Sequence, residues 1–149
     1  MLQEWIYALI LGGAPISEVR GAAIYAFSIN QPELILIGAF GNFLAGLALL
    51  FFWDLFKIEK IGRKIIGKKI DDKIHDLGKK TEKYGWIGLA IFIGIPLPAT
   101  GVYTGILLGK ILNYSNKHLL AASAIGIIIS TTIMFLILNG TLAFLSFLK

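Results

Sequence analysis

The sequence predicts an all-α integral membrane protein made of two inverted repeats, each a re-entrant helical hairpin followed by a transmembrane helix, joined by a basic amphipathic cytoplasmic segment. Three observations predict it. First, the 149 residues are 56% hydrophobic and 15% charged, with a mean hydropathy of +0.78, whereas a soluble domain carries about 25% charged residues. Second, the charge is segregated: residues 54–83 hold ten of the fourteen Lys/Arg and six of the nine Asp/Glu. Third, two proline-centred motifs interrupt apolar stretches, Gly12-Gly13-Ala14-Pro15-Ile16-Ser17-Glu18-Val19-Arg20-Gly21 and Ile95-Pro96-Leu97-Pro98-Ala99-Thr100-Gly101-Val102-Tyr103-Thr104-Gly105. Proline removes a backbone donor and drives the preceding residue out of the helical region. Broken helix at membrane depth is tolerated only inside protein or beside a wet cavity.

The elements follow in order. Residues 5–14 precede Pro15 and, at about 1.5 Å per residue, reach half-way across a hydrocarbon core of about 30 Å. Residues 16–30 form a second short piece carrying Glu18 and Arg20. Residues 34–53 are long enough for a full span, with Asn42 the strongly polar member and Trp53 suited to the interface. In 54–83, Ile58, Ile61, Ile65, Ile66, Ile70, Ile74 and Leu77 recur at amphipathic-helix spacing, flanked by lysines. Such a helix lies on the membrane surface or packs on the bundle. Residues 84–95 end at Pro96 as another half-length piece, and 97–112 follow. Residues 113–118 form a polar connector, 119–138 a full span, and Asn139-Gly140 a break before a short tail at 141–149.

Half-helix, proline break, half-helix and full span thus occur twice. The chain reads as one membrane domain, with repeat 1 at 1–53, the connector at 54–83 and repeat 2 at 84–149. If each broken pair re-enters, the intervening span makes the two halves inverted repeats. The positive-inside rule places the connector in the cytoplasm and both termini outside. A rival topology makes each broken pair one kinked span. The broken pairs are each longer than one span needs and each break is central, which favours re-entry.

Glu18 and Arg20 are the most informative charges, because each costs about 2.5–3.5 kcal/mol at the centre of a membrane helix. A buried structural ion pair is the plain alternative to a transport site. Helices restarting after Pro15 and Pro98 would aim their N-termini at the midplane, and such termini suit an anion. Ser17 and Thr100 are candidates to cap those ends or donate to a ligand. With Thr104 and the planar guanidinium of Arg20, they make up the expected substrate-binding set, and Glu18 is the expected proton-coupling group. Pro15, Pro96 and Pro98 mark the hairpin tips. Gly101, Gly105 and Gly109 form a small-residue stripe, as do Gly38, Asn42 and Gly46, and Ala122, Gly126 and Ser130. Close helix packing is the preferred reading for these stripes and for Gly21. His75 and His118 are isolated, and the chain has no cysteine. No metal, cofactor, nucleotide fingerprint or nucleophile–base pair is expected, and enzyme activity has no positive support. The net charge of +5 reads as a membrane-surface loop, not as nucleic-acid binding.

At its two motifs the chain resembles the small multidrug export protein family, within the wider DedA-like superfamily. Pro15, Ile16, Glu18, Arg20, Gly21 and Ala22 match a pattern resembling P-I-x-E-x-R-G-A. Pro96, Leu97, Pro98, Thr100, Gly101, Thr104 and Gly105 match one resembling P-L-P-G-T-G-x-W-T-G, with Ala99 for a usual Gly and Tyr103 for a usual Trp. The family often has a proline where this chain has Ile24. The resemblance implies two inverted re-entrant hairpins, each followed by a span. DedA-like relatives are implicated in moving lipids, including polyprenyl-phosphate carriers, between leaflets, with proton coupling in some.

The leading expectation is therefore a transporter that moves an anionic lipid or polyprenyl-phosphate-type lipid, with the headgroup between the hairpin tips and the tails in the bilayer. A proton-coupled exporter of small compounds, with Glu18 exchanging proton for substrate, is the second reading. A structural membrane scaffold is the third. Membrane lipids are the expected surroundings. Two repeats make a thin bundle, which favours a homodimer.

Overall fold

The computed structural model describes residues 2–55, 85–97 and 100–147. Residues 56–83 of the amphipathic segment expected at 54–83, and the tip at Pro98, lie outside the described residues. Among those described, there are six helices and no strand: α1 (Leu2–Gly13), α2 (Glu18–Ser28), α3 (Leu34–Leu55), α4 (Gly85–Gly94), α5 (Val102–Ile111) and α6 (Asn116–Phe147).

The proline breaks end helices close to where the sequence places them. Helix α1 stops two residues before Pro15 and α4 two residues before Pro96. Helices α1, α2 and α5 have 12, 11 and 10 residues, about 15–18 Å each. Helices α1 and α2 fold back on one another. Tyr7 and Tyr25, on opposite sides of the break, have ring centroids 6.1 Å apart in an edge-on arrangement, where an unbroken helix would hold them about 27 Å apart. In the second broken pair, a side chain added at Gly105 would run into Ile93, and one added at Gly109 would meet Leu89. Four residues forward along α5 correspond to four back along α4, which is an antiparallel register.

The second helix of each pair ends in the same way. Asn30 and Asn113 adopt positive φ, 58° and 61°. Gln31 N–H donates to Ala26 O and Tyr114 N–H to Gly109 O, each at 2.9 Å. This six-to-one bond closes the last turn and satisfies an orphan carbonyl, and asparagine tolerates the left-handed position better than most residues. A tight turn then leads into a long helix.

Helices α3 and α6 contain the two segments long and apolar enough to cross a membrane, Leu34–Trp53 and Asn116–Thr141, each with hydropathy 2.3 and only 39% and 33% buried. Leu36, Phe51, Ile128 and Leu136 are each about two-thirds exposed, so these helices present apolar surface outward where a soluble core helix would hide it. Helix α6 corrects one expectation, because it runs through Asn139-Gly140 without a break. Asn139 Nδ2 donates to Phe135 O at 3.1 Å and Thr141 Oγ1 to Ile137 O at 2.8 Å. The polar side chains are satisfied within the helix, and a single glycine costs only about 1 kcal/mol.

Small residues let the helices meet. A β-carbon at Gly13 would lie 3.3 Å from Gly41 O, and one at Gly94 3.4 Å from Gly126 O. The last residues of α1 and α4 thus each pack by a glycine carbonyl of the long helix that follows their pair. Gly38 packs against Ala22 of α2 and Gly46 against Val102 and Ile106 of α5. Helix α3 therefore touches both hairpins, α6 also packs on α2, and α3 and α6 pack on each other. The core this closes includes Val19, Ala23, Leu89, Ile93, Val102, Ile106 and Leu119.

Candidate functional site

The turn after α1 solves a local shortage of donors. In a continuous helix residue 15 would donate its N–H to Leu11 O, but Pro15 has none. The Ser17 hydroxyl donates to Leu11 O instead. Ser17 precedes α2 in helical conformation (φ −84°, ψ −46°) and makes no side-chain cap, which corrects the capping role expected of it. Gly21 leaves room for the Ser17 side chain, so it serves this turn more than contact with another helix. In the second break, Thr100 is not the cap either. Gly101 holds that position, and Thr100 Oγ1 lies 2.8 Å from Leu97 O and accepts Leu97 N–H at 3.1 Å. Thr100 staples the turn beside Pro96.

Glu18 opens α2 with φ 47°, a left-handed conformation uncommon for a residue with a side chain. It is 6% exposed. Its carboxylate lies against Gly101 and accepts hydrogen bonds from the backbone N–H groups of Val102 and Tyr103. These are first-turn donors of α5, unsatisfied within the helix and at its positive end. The expected anion site at the start of α5 is thus filled by the chain's own carboxylate. Gly101 makes this possible. Its φ of 129° and ψ of −169° fall in a region essentially restricted to glycine, and a β-carbon there would overlap the Glu18 carboxylate. Gly101 is therefore a seat for Glu18, not a helix-packing residue, whereas Gly105 and Gly109 do pack against neighbouring helices.

A second bond runs the other way. The Tyr103 hydroxyl donates to Gly13 O, a carbonyl left open by the end of α1. The hairpin tips are latched reciprocally: Glu18 caps α5, and Tyr103 closes α1. Tyr103→Phe leaves that carbonyl short of its partner, so we expect a loss of about 1–3 kcal/mol of stability with helix content retained. Thermal unfolding followed by circular dichroism in detergent checks it.

Between the tips lies a half-open cleft of about 440 Å³ lined by Pro15, Ile16, Glu18, Arg20, Thr100, Tyr103 and Thr104. Of the predicted substrate residues, Arg20, Thr100 and Thr104 converge here, whereas Ser17 is not among its lining residues. Thr104 Oγ1 donates to Gly101 O at 3.3 Å. The Arg20 guanidinium makes one long contact, 3.4 Å to Ile16 O, and no carboxylate among the described residues pairs with it within 4.0 Å. Asn42 is 2% exposed, with its side-chain oxygen unpartnered. One turn away on either side are Gly38, against Ala22, and Gly46, against Val102. That register puts Asn42 between α2 and α5, level with Glu18. Sequence reasoning missed Tyr103 and the true role of Gly101. The only signal was a tyrosine beside the proline–threonine break, with nothing to show what its hydroxyl reaches.

The described fold is that of a small helical protein with two membrane-length apolar helices and a cleft, lined in part by Glu18, Arg20, Thr100 and Thr104, between two broken helix pairs. The family described as "Putative small multi-drug export protein" matches residues 18–133, well over half of the chain, and the chain belongs to it. Family and apolar helices together point to a membrane location. No curated protein and no solved structure matches the chain.

Proposed function

We propose that the protein is a membrane transporter for an anionic amphiphile, a lipid or lipid-linked phosphate, whose headgroup docks on Arg20 in the cleft between the hairpin tips. The observation that carries this reading is that Arg20, with no carboxylate among the described residues within 4.0 Å of its guanidinium, lines the same cleft as Glu18 and Tyr103 at the start of α5. Arginine grips phosphate in a planar, two-point manner. The broken pairs are re-entrant hairpins and the halves inverted repeats. Supporting this are the antiparallel register of each pair, the matching asparagine ends, and the paired Gly13–Gly41 and Gly94–Gly126 contacts. The proposed cargo follows what the DedA-like resemblance of the motifs implies.

Proton coupling follows from competition. The ionised Glu18 and an incoming headgroup both seek Val102 and Tyr103 N–H. Protonation removes the charge that holds Glu18 there, and Asn42 offers an acceptor for the new O–H. Among the described residues, Arg20 is the ionisable side chain that acts on Glu18, and Tyr103 acts through its backbone N–H. On this account, proton and anion load together. The family description favours a second reading, export of small compounds with Glu18 as the exchanging carboxylate, in which proton and substrate move oppositely.

Reconstituted protein with labelled anionic lipids tests the reading. We expect Arg20→Lys to lose roughly tenfold in headgroup transport although the charge is kept, and Arg20→Ala to lose more, because a charged hydrogen bond is worth about 1.5–3 kcal/mol. Wild-type transport in both folded variants would remove the anion site. In the proposed topology the connector 54–83 is cytoplasmic, so a cysteine placed at Lys69 should resist an impermeant reagent in intact cells and react after lysis. Labelling in intact cells contradicts it.

A further inference from the structure

The two broken pairs are related by a constant offset. Adding 83 to Ala26, Asn30 and Gln31, which close the end of α2, gives Gly109, Asn113 and Tyr114, which close α5 in the same way. The same offset carries Ser17-Glu18-Val19-Arg20 onto Thr100-Gly101-Val102-Tyr103. Glu18 touches Gly101, and a residue meets its own counterpart only beside the axis that relates two halves. The hairpin tips therefore face each other across the two-fold axis of the proposed inverted repeats. Their contacts are one-sided. Tyr103 crosses the axis and donates to Gly13 O at the end of α1, whereas its counterpart Arg20 stays on its own turn, 3.4 Å from Ile16 O. The counterpart of Gly13 is Gly94, which ends α4 and packs by Gly126 as Gly13 packs by Gly41. In a continuous helix Gly94 O would accept from residue 98, but Pro98 has no N–H. No donor among the described residues reaches Gly94 O. Glu18 shows the same imbalance. It caps Val102 and Tyr103 N–H, while the counterpart N–H groups of Val19 and Arg20 have no acceptor among the described residues.

Equivalent halves held unequally have a second arrangement in which they exchange roles. We propose that Arg20 is the other half of a two-position latch: when Tyr103 lets go of Gly13 O, the Arg20 guanidinium closes on Gly94 O, and the cleft opens to the opposite face of the membrane. The inference rests on the transport reading and adds its release step. Arg20 holds the headgroup while the Tyr103 latch is closed and gives it up as its own latch forms. The side chains suit the exchange. Arginine and tyrosine carry their donors at comparable reach from the backbone, and a guanidinium has five N–H groups to offer a carbonyl. Both acceptors are carbonyls at the end of a half-helix, left without an intrahelical donor.

The test uses the full chain, in which the absence of cysteine makes a single thiol at Ile16 a clean reporter. Ile16 lines the cleft and is 91% exposed. The protein is reconstituted at low density in phosphatidylcholine alone, and capture on a C-terminal tag separates vesicles of the two orientations. Alkylation of Ile16→Cys by an impermeant maleimide is then followed from each membrane face. Alkylation is irreversible, so a minor state accumulates label. The thiol should react rapidly from one face and slowly from the other. Tyr103→Phe should speed the slow face at least about fivefold, and Arg20→Leu should slow it by a similar factor, the effect of one hydrogen bond on a two-state equilibrium. Arg20→Leu in the Tyr103→Phe background should undo the gain. Wild-type labelling from one face only overturns the latch, and so do two single variants that move the slow rate the same way. Arg20→Leu breaks only a long contact within its own turn, so it carries the test where Tyr103→Phe does not fold. Glycerol phosphate binding by the same variants separates the two readings. A slow rate shifted in Arg20→Leu with binding unchanged overturns the headgroup reading and keeps the latch. Lost binding with the slow rate unchanged overturns the latch alone.

Discussion

Gly101→Ala is expected to unseat Glu18 and to destabilise the protein strongly. Two penalties combine. The backbone at φ 129° carries about 1–3 kcal/mol of strain for a residue with a side chain, and the new β-carbon overlaps the Glu18 carboxylate. The expected result is a large fall in thermal midpoint, together with loss of the latch between the hairpins. The two penalties are separable. Truncating Glu18 to alanine removes the group that collides, so Gly101→Ala should cost clearly less in a Glu18→Ala background than alone. Contacting residues typically deviate from additivity by 0.5–3 kcal/mol. Strict additivity in thermal or denaturant unfolding would mean that the carboxylate does not sit on Gly101.

Glu18→Gln is expected to free transport from pH. Glutamine resembles the protonated acid: it carries no charge to hold it on α5, so the N–H groups of Val102 and Tyr103 stay open to a headgroup. In the wild type, transport should rise as pH falls and Glu18 takes up its proton. Above its titration it should fall by up to about tenfold per pH unit, following the neutral fraction. The variant should be flat across that range and exceed the wild type at its alkaline end. A pH profile in an active Glu18→Gln variant that matches the wild type would remove Glu18 as the proton carrier while leaving the Arg20 site standing.

Much of this arrangement was legible in the chain because its causes are local. Pro15 and Pro96 end helices by chemistry that acts on their own and preceding residues. The long helices follow from the length and apolarity of 34–53 and 119–138. Glu18 and Arg20 stand out because charge is costly in an apolar stretch. What escaped depends on distant partners. Tyr103 and Gly13 are 90 residues apart, and no spacing rule says that a phenol from one break closes a carbonyl at the other. Gly101 was hidden by its own stripe: with Gly105 and Gly109 it has packing periodicity, but only its backbone angles and the carboxylate beside it reveal a seat. The expected break at Asn139-Gly140 failed because turn-forming residues are weak evidence when their side chains can bond back to the preceding helical turn.

In the proposed transport cycle, Glu18 and the substrate anion compete for one set of N–H groups, so that proton and anion cross together. Proton flux and labelled-lipid flux measured together in proteoliposomes, with no imposed potential, distinguish this cycle from exchange. An anionic lipid gradient should drive protons in the same direction as the lipid, and Glu18→Gln should carry lipid without protons. Protons moving against the substrate, or lipid flux with no proton movement in the wild type, would contradict it.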